Sequence, residues 1–255
     1  MQTRTVLITG GASGIGLGIA KKLGASGHKI IIADMNIPAA DQAVADLTST
    51  GIDARAVVLD VTNAAQIAQL PAQLLPDKVD VLINNAGIQH VAKLEDFPAD
   101  KWQLLINIML VGPALLTQAF LPSMRQHNFG RIINLGSVHS LIASPYKSAY
   151  VAAKHGLLGF AKTVALETGD CDVTINTLCP AYVKTPLVEK QIAAQAKEHG
   201  MSEQDVINKI MLEPMPKKSF IDMDELAASA AFLMQDTARN ITAQTIVLDG
   251  GWTAR

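Results

Sequence analysis

The sequence predicts a doubly wound α/β fold, in which helices cover both faces of a seven-stranded parallel sheet. Short runs of β-branched and other apolar residues recur along the 255-residue chain, and helix-length stretches separate them. The runs are continuously apolar instead of alternating, which is what strands covered on both faces require. The predicted strands are residues 6–8, 30–32, 56–59, 81–83, 131–135, 173–176 and 246–248.

Composition narrows the class of protein. With 49% hydrophobic and 17% charged residues, the chain can bury a large core, and we expect one domain over residues 1–255. The net charge of −2 comes with no block of like charge, so we expect a small-molecule substrate and sister subunits as partners, not nucleic acid or a membrane. The two cysteines, Cys171 and Cys179, lack a metal-ligand spacing, so we expect no metal and a reduced, cytoplasmic compartment. We expect no signal segment and no unbroken apolar stretch long enough to span a bilayer.

One segment, residues 186–221, interrupts the regular alternation after the sixth predicted strand. Pro186 favours a helix start and Gly200 a helix end. Ser202 and Asp205 resemble a capping box for a second helix, which the prolines at 214 and 216 end. We interpret this insertion as a helical lid over a substrate; a surface hairpin without a role in binding is the alternative.

A glycine-rich turn, residues 9–16, follows the first predicted strand and opens the first helix. Because Gly10, Gly14 and Gly16 lack side chains, backbone N–H groups can approach a pyrophosphate at the positive end of that helix. The spacing G-x-x-x-G-x-G differs from the commonest dinucleotide fingerprint, and such glycines can also serve close packing. The strand before the turn and the helix after it favour nucleotide binding.

The ends of the next strands indicate which nucleotide. Asp34 closes the second strand, near the spacing at which an acidic side chain accepts hydrogen bonds from the adenosine ribose. Its carboxylate would repel a 2′-phosphate, and neither Met35 nor Asn36 offers a cation, so the sequence favours NAD over NADP. Residues 60–61 and 84–87 close the third and fourth strands at the same sheet edge, where open parallel sheets bind ligands.

Tyr150 and Lys154 are candidate catalytic residues. Four positions apart on a predicted helix, they project from one face. A phenol with a pKa of about 10 is a poor catalyst at neutral pH unless its anion is stabilised. The ammonium of Lys154 can do this, and Ser137, at the end of the fifth strand, can hydrogen-bond the substrate oxygen. The Tyr-x-x-x-Lys pair alone is common on inert helices, but together with Ser137, the glycine turn and Asp34 it predicts a hydride-transfer site.

These motifs resemble those of the short-chain dehydrogenase/reductase family in order and approximate spacing, over essentially the whole chain. The resemblance rests on the glycine turn, on Asn84-Asn85-Ala86-Gly87, on Ser137, on Tyr150-x-x-x-Lys154 and on Pro180-Ala181-Tyr182-Val183-Lys184-Thr185-Pro186, where Ala181 replaces the usual glycine. It implies a Rossmann-type fold, a homotetramer and Asn107 as a fourth catalytic residue that links Lys154 through water to solvent. The expected cofactor contacts are Thr9, Gly10, Ser13, Gly14, Ile15, Gly16, Asp34, Asp60, Val61, Asn85, Ala86, Gly87, Tyr150, Lys154, Pro180, Val183 and Thr185, the last at the nicotinamide carboxamide.

Within that family the chain resembles bacterial members that oxidise (R)-3-hydroxybutyrate to acetoacetate with NAD. The similarity lies in residues 87–92, 137–139, 144–150, 187–192 and 249–252. It implies that Gln89, His139, Lys147 and Gln191 hold the substrate carboxylate beside Ser137 and Tyr150. Two amides, a histidine and an ammonium would be costly to bury together unless an anion satisfied them.

Two other functions stay open from the sequence. The same chemistry could act on another short hydroxy or keto acid, or on a sugar or polyol. A non-enzymatic NAD-sensing module is the third possibility, and its mark would be the loss of Tyr150 or Lys154. Both residues are present.

Overall fold

The computed structural model describes residues 2–254, apart from the side chain of Leu187. All seven predicted strands form, and they make one parallel sheet in the order β3-β2-β1-β4-β5-β6-β7. From β1 to β3 the strands are added on one side of β1, and from β4 onwards they are added on its other side. A crevice therefore opens between the ends of β1 and β4. The strands are β1 (Thr5–Thr9), β2 (Lys29–Asp34), β3 (Ala54–Val58), β4 (Val81–Asn84), β5 (Gly130–Leu135), β6 (Val173–Pro180) and β7 (Thr245–Leu248).

Helices cover both faces of the sheet. Ile30 and Ile32 of β2 pack on one face in a core with α1, α2 and α9, while Ile31 packs on the other in a core with α3, α5 and α6. Successive side chains of one strand therefore enter two different cores, which explains the continuous apolar runs. The helices are α1 (Gly14–Ala25), α2 (Ile37–Ser49), α3 (Ala64–Gln73), α4 (Ala99–Ile106), α5 (Gly112–Gln126), α6 (Ser148–Glu167), α7 (Pro186–His199), α8 (Glu203–Val206) and α9 (Met223–Leu233).

The first helix of the insertion begins and ends where the sequence predicts. Thr185 precedes Pro186, and its hydroxyl oxygen accepts the N–H of Val188 at 3.4 Å. Gly200 ends α7 with φ at 62°, in the left-handed region that favours glycine.

The second helix of the insertion is shorter and less regular. The Ser202 hydroxyl oxygen accepts the N–H of Asp205, as predicted, but the Asp205 carboxylate accepts from the Ser202 hydroxyl instead of completing the box on the backbone. After α8 the chain continues as a π-helical turn, Ile207–Met211, that ends before Pro214.

One helical run has a high mean hydropathy, although polar residues such as Asn107 and Thr117 interrupt it. Residues Ala99–Gln126 form a continuous helical run whose most apolar window has a mean hydropathy of 1.9, long and apolar enough by composition to cross a membrane. In the structure its inner face packs into the core through Leu116, Phe120 and Met124. A single helix of this kind is weak evidence for a membrane span, since buried core helices share the same length and composition.

Candidate active site

A cavity of about 490 Å³, here called the edge cavity, lies at the carboxyl edge of the sheet. Its walls come from the residues that directly follow five neighbouring strands, as expected for a ligand site of an open parallel sheet. Thirteen of the predicted cofactor contacts line it: Gly10, Ser13, Gly14, Ile15, Asp34, Asp60, Val61, Asn85, Ala86, Gly87, Tyr150, Lys154 and Thr185.

The glycines of the turn serve two different purposes. Gly10 and Gly14 have φ angles of +60° and +54°, which side-chain-bearing residues rarely adopt. Gly16 has no such angle, but a Cβ there would lie 2.6 Å from Nδ2 of Asn85 and 2.7 Å from the carbonyl oxygen of Gly10. Gly16 is absent from the cavity lining, so its role is to let α1 pack closely behind the turn.

Thr9 and Asn85 hold the glycine turn against the end of β4. The Thr9 hydroxyl oxygen accepts the N–H groups of Asn85 and Ala86 at 3.0 and 3.1 Å. The Asn85 amide donates to the carbonyl oxygens of Thr9 and Gly10 at 2.8 and 3.0 Å. Thr9 therefore lies behind the cavity wall, and it shapes the site without lining the cavity.

The beginning of α1 is open to an anion. Ser13 caps this helix in an extended conformation, yet its side chain makes no capping hydrogen bond. The first N–H groups of α1 thus face the edge cavity without a side-chain acceptor, and together with the helix dipole they suit a phosphate.

Asp34 stands at the other end of the edge cavity. One carboxylate oxygen accepts the N–H of Ala12 at 3.2 Å, and the other accepts the N–H of Asn36 at 3.0 Å. These bonds fix the carboxylate at the cavity wall, next to the exposed side chain of Met35. Anion-binding N–H groups at one end and a fixed carboxylate at the other fit a dinucleotide.

Ser137, Tyr150 and Lys154 come together where the edge cavity meets the loop after β5. Lys154 is 5% exposed, donates to the carbonyl oxygen of Leu135 at 2.5 Å, and lies 5.6 Å from the centre of the Tyr150 ring. Ser137 and Tyr150 line the same cavity, and hydrogen bonding from the Ser137 hydroxyl acts to lower the pKa of Tyr150. The predicted catalytic trio is therefore adjacent in space.

Burial dominates the titration of these groups. It lowers the pKa of Lys154 to about 8. It raises the pKa of Tyr150, although the hydrogen bond from Ser137 acts in the opposite direction. The buried phenolate loses more hydration than the Ser137 hydroxyl restores. The stabilisation of the Tyr150 anion expected from Lys154 stays a prediction.

Asn107 begins a π-helical turn, Asn107–Val111, between α4 and α5. Its side-chain oxygen accepts from the Gln103 amide at 2.9 Å, and its carbonyl oxygen accepts the N–H of Gly112. Such π-helical turns often occur at functional sites. Since Asn107 makes no direct hydrogen bond to Lys154 in the described residues, the water-mediated link between them stays a prediction.

A second cavity of about 140 Å³, here called the inner cavity, adjoins the first and shares Ile15, Gly136, Tyr150 and Thr185 with it. Two residues predicted to contact the cofactor, Pro180 and Val183, line this smaller cavity instead. All six predicted substrate contacts line it as well: Gln89, Ser137, His139, Lys147, Tyr150 and Gln191.

Lys147 supplies the cationic group of the inner cavity. Burial lowers its pKa. No acidic side chain lies within ion-pair distance of its ammonium in residues 2–254. A partly buried ammonium without a counter-ion favours an anionic ligand.

His139 is 4% exposed, and both of its ring nitrogens have partners. Nε2 lies 2.7 Å from the Ser144 hydroxyl, and Nδ1 lies 3.4 Å from the Ser137 hydroxyl. Burial lowers the pKa of His139 to about 4, and the charges of Lys147 and His155 act in the same direction. The ring is therefore neutral at pH 7, and a substrate carboxylate would compete with Ser144 or Ser137 for it.

Sequence reasoning missed two aromatic walls of the inner cavity. Tyr182 and Trp252 stack with their ring centres 5.9 Å apart, and Trp252 also lies edge-on to His139 at 6.1 Å. Asp249 fixes the turn that carries Trp252, because its carboxylate accepts the N–H groups of Gly251 and Thr253 at 2.8 and 2.7 Å. No local pattern reveals this contact, since it joins the end of the chain to the loop after β6. In the edge cavity, Met35, Leu59, Ile88, Ile108, Met109, Leu135, Gly136, Pro186 and Lys190 were also missed.

Fold and site define an oxidoreductase of the doubly wound α/β class, with a cavity lined by groups that fit a dinucleotide beside a Ser-Tyr-Lys trio. Comparison with known proteins narrows the class. The family model described as short chain dehydrogenase matches residues 4–196. The chain belongs to the short-chain dehydrogenase/reductase family, whose members use nicotinamide cofactors.

Relatives support a finer similarity. A D-beta-hydroxybutyrate dehydrogenase of Rhizobium meliloti (strain 1021) is 44% identical over 260 residues, and the match covers 100% of both chains. A protein of the same name from Cupriavidus necator is 44% identical over 259 residues, again with 100% of both chains covered. Among solved structures, an actinorhodin polyketide ketoreductase variant with NADPH matches with a TM-score of 0.94 and 27% identity, over 99% of this chain and 98% of the other.

Proposed function

We propose that this enzyme oxidises (R)-3-hydroxybutyrate to acetoacetate, reversibly, with NAD. The observation that carries the proposal is Lys147, a partly buried ammonium without an acidic partner in a 140 Å³ cavity that also contains Tyr150. A cavity of this size suits a four-carbon hydroxy acid, and the ammonium suits its carboxylate. The 44% identity to two proteins named for this activity supports the same substrate.

Tyr150 acts as the acid–base group in this proposal. Its hydroxyl lies beside Ser137, so both can hydrogen-bond one substrate oxygen. Tyr150 takes the substrate's hydroxyl proton during oxidation and returns it during reduction, while Ser137 holds the oxygen. The bound nicotinamide cofactor supplies the hydride acceptor. Lys154, held by the Leu135 carbonyl, stabilises negative charge on Tyr150, which offsets the cost of burying the phenolate.

The choice of NAD over NADP rests on Asp34. Its carboxylate is fixed by two backbone N–H groups, so it can accept from the ribose hydroxyls and would repel a 2′-phosphate. We expect kcat/KM to be at least about tenfold higher with NAD than with NADP, since like-charge juxtaposition costs more than 1.4 kcal/mol. The measurement is initial rates with each cofactor. Equal use of both would contradict the assignment, and the NADPH in the related ketoreductase makes the test necessary.

Three further features belong to the same proposal. Residues 186–221 act as a lid on a single-domain enzyme, and Gln191 on α7 lines the inner cavity from that side. Closure of such a segment excludes water from the reacting atoms.

We propose a cytoplasmic homotetramer, for which family resemblance is the support. Light scattering that gives a monomer would contradict the tetramer.

The deciding experiment is NADH formation with each enantiomer of 3-hydroxybutyrate. We expect turnover with the (R) enantiomer and little with the (S) enantiomer. A rate with (R)-3-hydroxybutyrate no higher than with unrelated secondary alcohols would refute the substrate. A panel that includes the methyl ester, other short hydroxy acids and polyols would then identify the class that replaces it.

A further inference from the structure

His139 connects the catalytic serine to a residue without an assigned role. Its ring lies edge-on to Tyr150 with centres 6.0 Å apart, and its backbone N–H donates to the Ser137 hydroxyl oxygen at 3.2 Å. The far side of the ring contacts Ser144, whose hydroxyl oxygen is 2.7 Å from Nε2. A chain of contacts thus runs from Ser144 through His139 to Ser137, the residue expected at the reacting oxygen.

A neutral imidazole carries one proton, so one ring nitrogen donates and the other accepts. If Nε2 carried the proton, Nδ1 would accept from the Ser137 hydroxyl and draw that proton away from the substrate. If Nδ1 carries it, the ring donates to Ser137 and accepts from Ser144. The partner of Nε2 therefore decides where the proton of the catalytic serine points.

We propose that Ser144 is a positioning residue for the reaction: its hydroxyl donates to Nε2 of His139 and keeps the ring proton on Nδ1, facing Ser137. The Ser137 oxygen then accepts two N–H groups, from the backbone and from the ring of His139. Both of its lone pairs are used, so its own proton is directed at the substrate oxygen beside Tyr150. In this arrangement His139 orients Ser137, and Lys147 with the two glutamines of the cavity is left to hold the carboxylate that the sequence assigned to His139 as well.

The local structure holds Ser144 in place for this role. Ser144 lies in the loop between the 3₁₀ turn Val138–Ser140 and α6. The carbonyl oxygen of Tyr146 in that loop accepts the N–H of Ala92 at 3.0 Å, which ties the loop to the segment after β4. His139 itself is fixed by burial and by the rings of Tyr150 and Trp252. A hydroxyl on a fixed loop facing a fixed ring is suited to select one tautomer.

The proposal deepens the proposed function, on which its kinetic part rests, but its first test needs no substrate. Nitrogen chemical shifts of ¹⁵N-histidine distinguish Nδ1–H from Nε2–H, and the spectrum of the His139→Asn variant identifies the His139 signals. We expect Nδ1–H in the wild-type protein and a shift towards Nε2–H in Ser144→Ala. Nε2–H in the wild-type protein would overturn the proposal whatever the substrate is.

Kinetics give the second test. Ser144→Ala should lower kcat about tenfold, the size of one neutral hydrogen bond, and leave KM for the cofactor unchanged. Ser144→Thr, which keeps the hydroxyl, should restore most of kcat. The matched control is Ser148→Ala: the Ser148 hydroxyl accepts from the Trp102 indole at 3.2 Å and does not contact His139, so kcat should stay within about twofold of wild type.

A double-mutant cycle separates positioning from general structure. The side chain of His139→Asn can still donate to Ser137 but cannot reach Ser144. In that background Ser144→Ala should cause no additional loss of kcat, because its effect passes through the ring. A tenfold loss that persists without the ring, or an unchanged kcat in Ser144→Ala alone, would overturn the proposal.

Discussion

The edge cavity and the inner cavity are neighbours, but they are built in different ways. The edge cavity is shaped by backbone: a glycine turn, strand ends, and the bonds by which Thr9 and Asn85 hold them together. The inner cavity is shaped mainly by side chains from segments far apart in the chain, from Ile15 to Trp252. A binding site made of backbone is encoded in short local motifs, whereas one made of side chains depends on how distant loops meet.

This contrast leads to different expectations for substitutions. Changes in the inner cavity should alter kinetics and leave folding nearly intact, since its polar side chains carry little of the core. Changes behind the edge cavity should alter stability together with cofactor affinity, because the same contacts hold the sheet edge and shape the site.

The largest expected effect is at Tyr150. Tyr150→Phe removes the proton acceptor but keeps the ring, so kcat should fall about 10³-fold, within the usual range for loss of an acid–base group. Cofactor affinity, measured by fluorescence titration, should change less than about threefold, because one lost hydroxyl contact is worth little in a large cavity. Retained turnover would refute the role of Tyr150. It would also contradict the expectation that changes in the inner cavity act on kinetics.

Next in size is the cation of the inner cavity. Lys147→Met should lower kcat/KM for 3-hydroxybutyrate about 30-fold, the value of one charge-assisted hydrogen bond. The rate with the methyl ester, which has no charge, should hardly change. Lys162 is an exposed lysine in α6, the helix that directly follows Lys147. The control Lys162→Met should change kcat/KM for neither the acid nor the ester. Equal losses for acid and ester would argue against a carboxylate contact.

Gly16 tests the backbone-built side of the comparison. In Gly16→Ala the new methyl group would meet Asn85 and the Gly10 carbonyl, so the turn must shift; we expect about 2 kcal/mol less free energy of unfolding and weaker cofactor binding. Urea denaturation measures the first quantity.

Gly159→Ala is the matched control for that substitution. Gly159 lies inside α6 with nothing within 4 Å of an added Cβ, so the same change should stabilise by about 0.5–1 kcal/mol. A Gly16→Ala protein as stable as wild type would contradict the close packing assigned to that position.

The smallest expected effect concerns pH. His139 has a pKa of about 4 in the folded protein against 6.5 as its ordinary value. Between these values the unfolded chain binds a proton that the folded protein does not, so stability falls as pH decreases through this window and is unaffected above it. From pH 6.5 to 5.0 the loss should be between about 1 and 2 kcal/mol.

Comparing urea unfolding of wild type and His139→Asn at pH 6.5 and 5.0 measures this contribution. The variant should lose clearly less stability than wild type over that interval. Some pH dependence of stability should remain in the variant, because burial also lowers the pKa of His28. An identical pH dependence in both proteins would show that His139 can be protonated without unfolding.

The sequence predicts the seven strands, their parallel arrangement and the start and end of α7, because strand burial, Pro186 and Gly200 are local signals. It also predicts the members of the catalytic trio, whose hydroxyls and ammonium are adjacent in the structure. In the helical run Ala99–Gln126 composition alone does not separate a core helix from a membrane span. Pro180 and Val183, expected at the cofactor, line the inner cavity, and their contact with the cofactor stays a prediction.

Local patterns are enough to predict the chemistry available at the sheet edge, because the glycine spacing, the acid at the end of β2 and the Tyr-x-x-x-Lys pair are short-range features. How those groups behave depends on the tertiary structure. Burial raises the Tyr150 pKa, Ser144 and Ser137 contact both ring nitrogens of His139, and Trp252 closes the inner cavity from the far end of the chain. Desolvation and long-range contacts depend on which segments meet in space, and no local pattern encodes that.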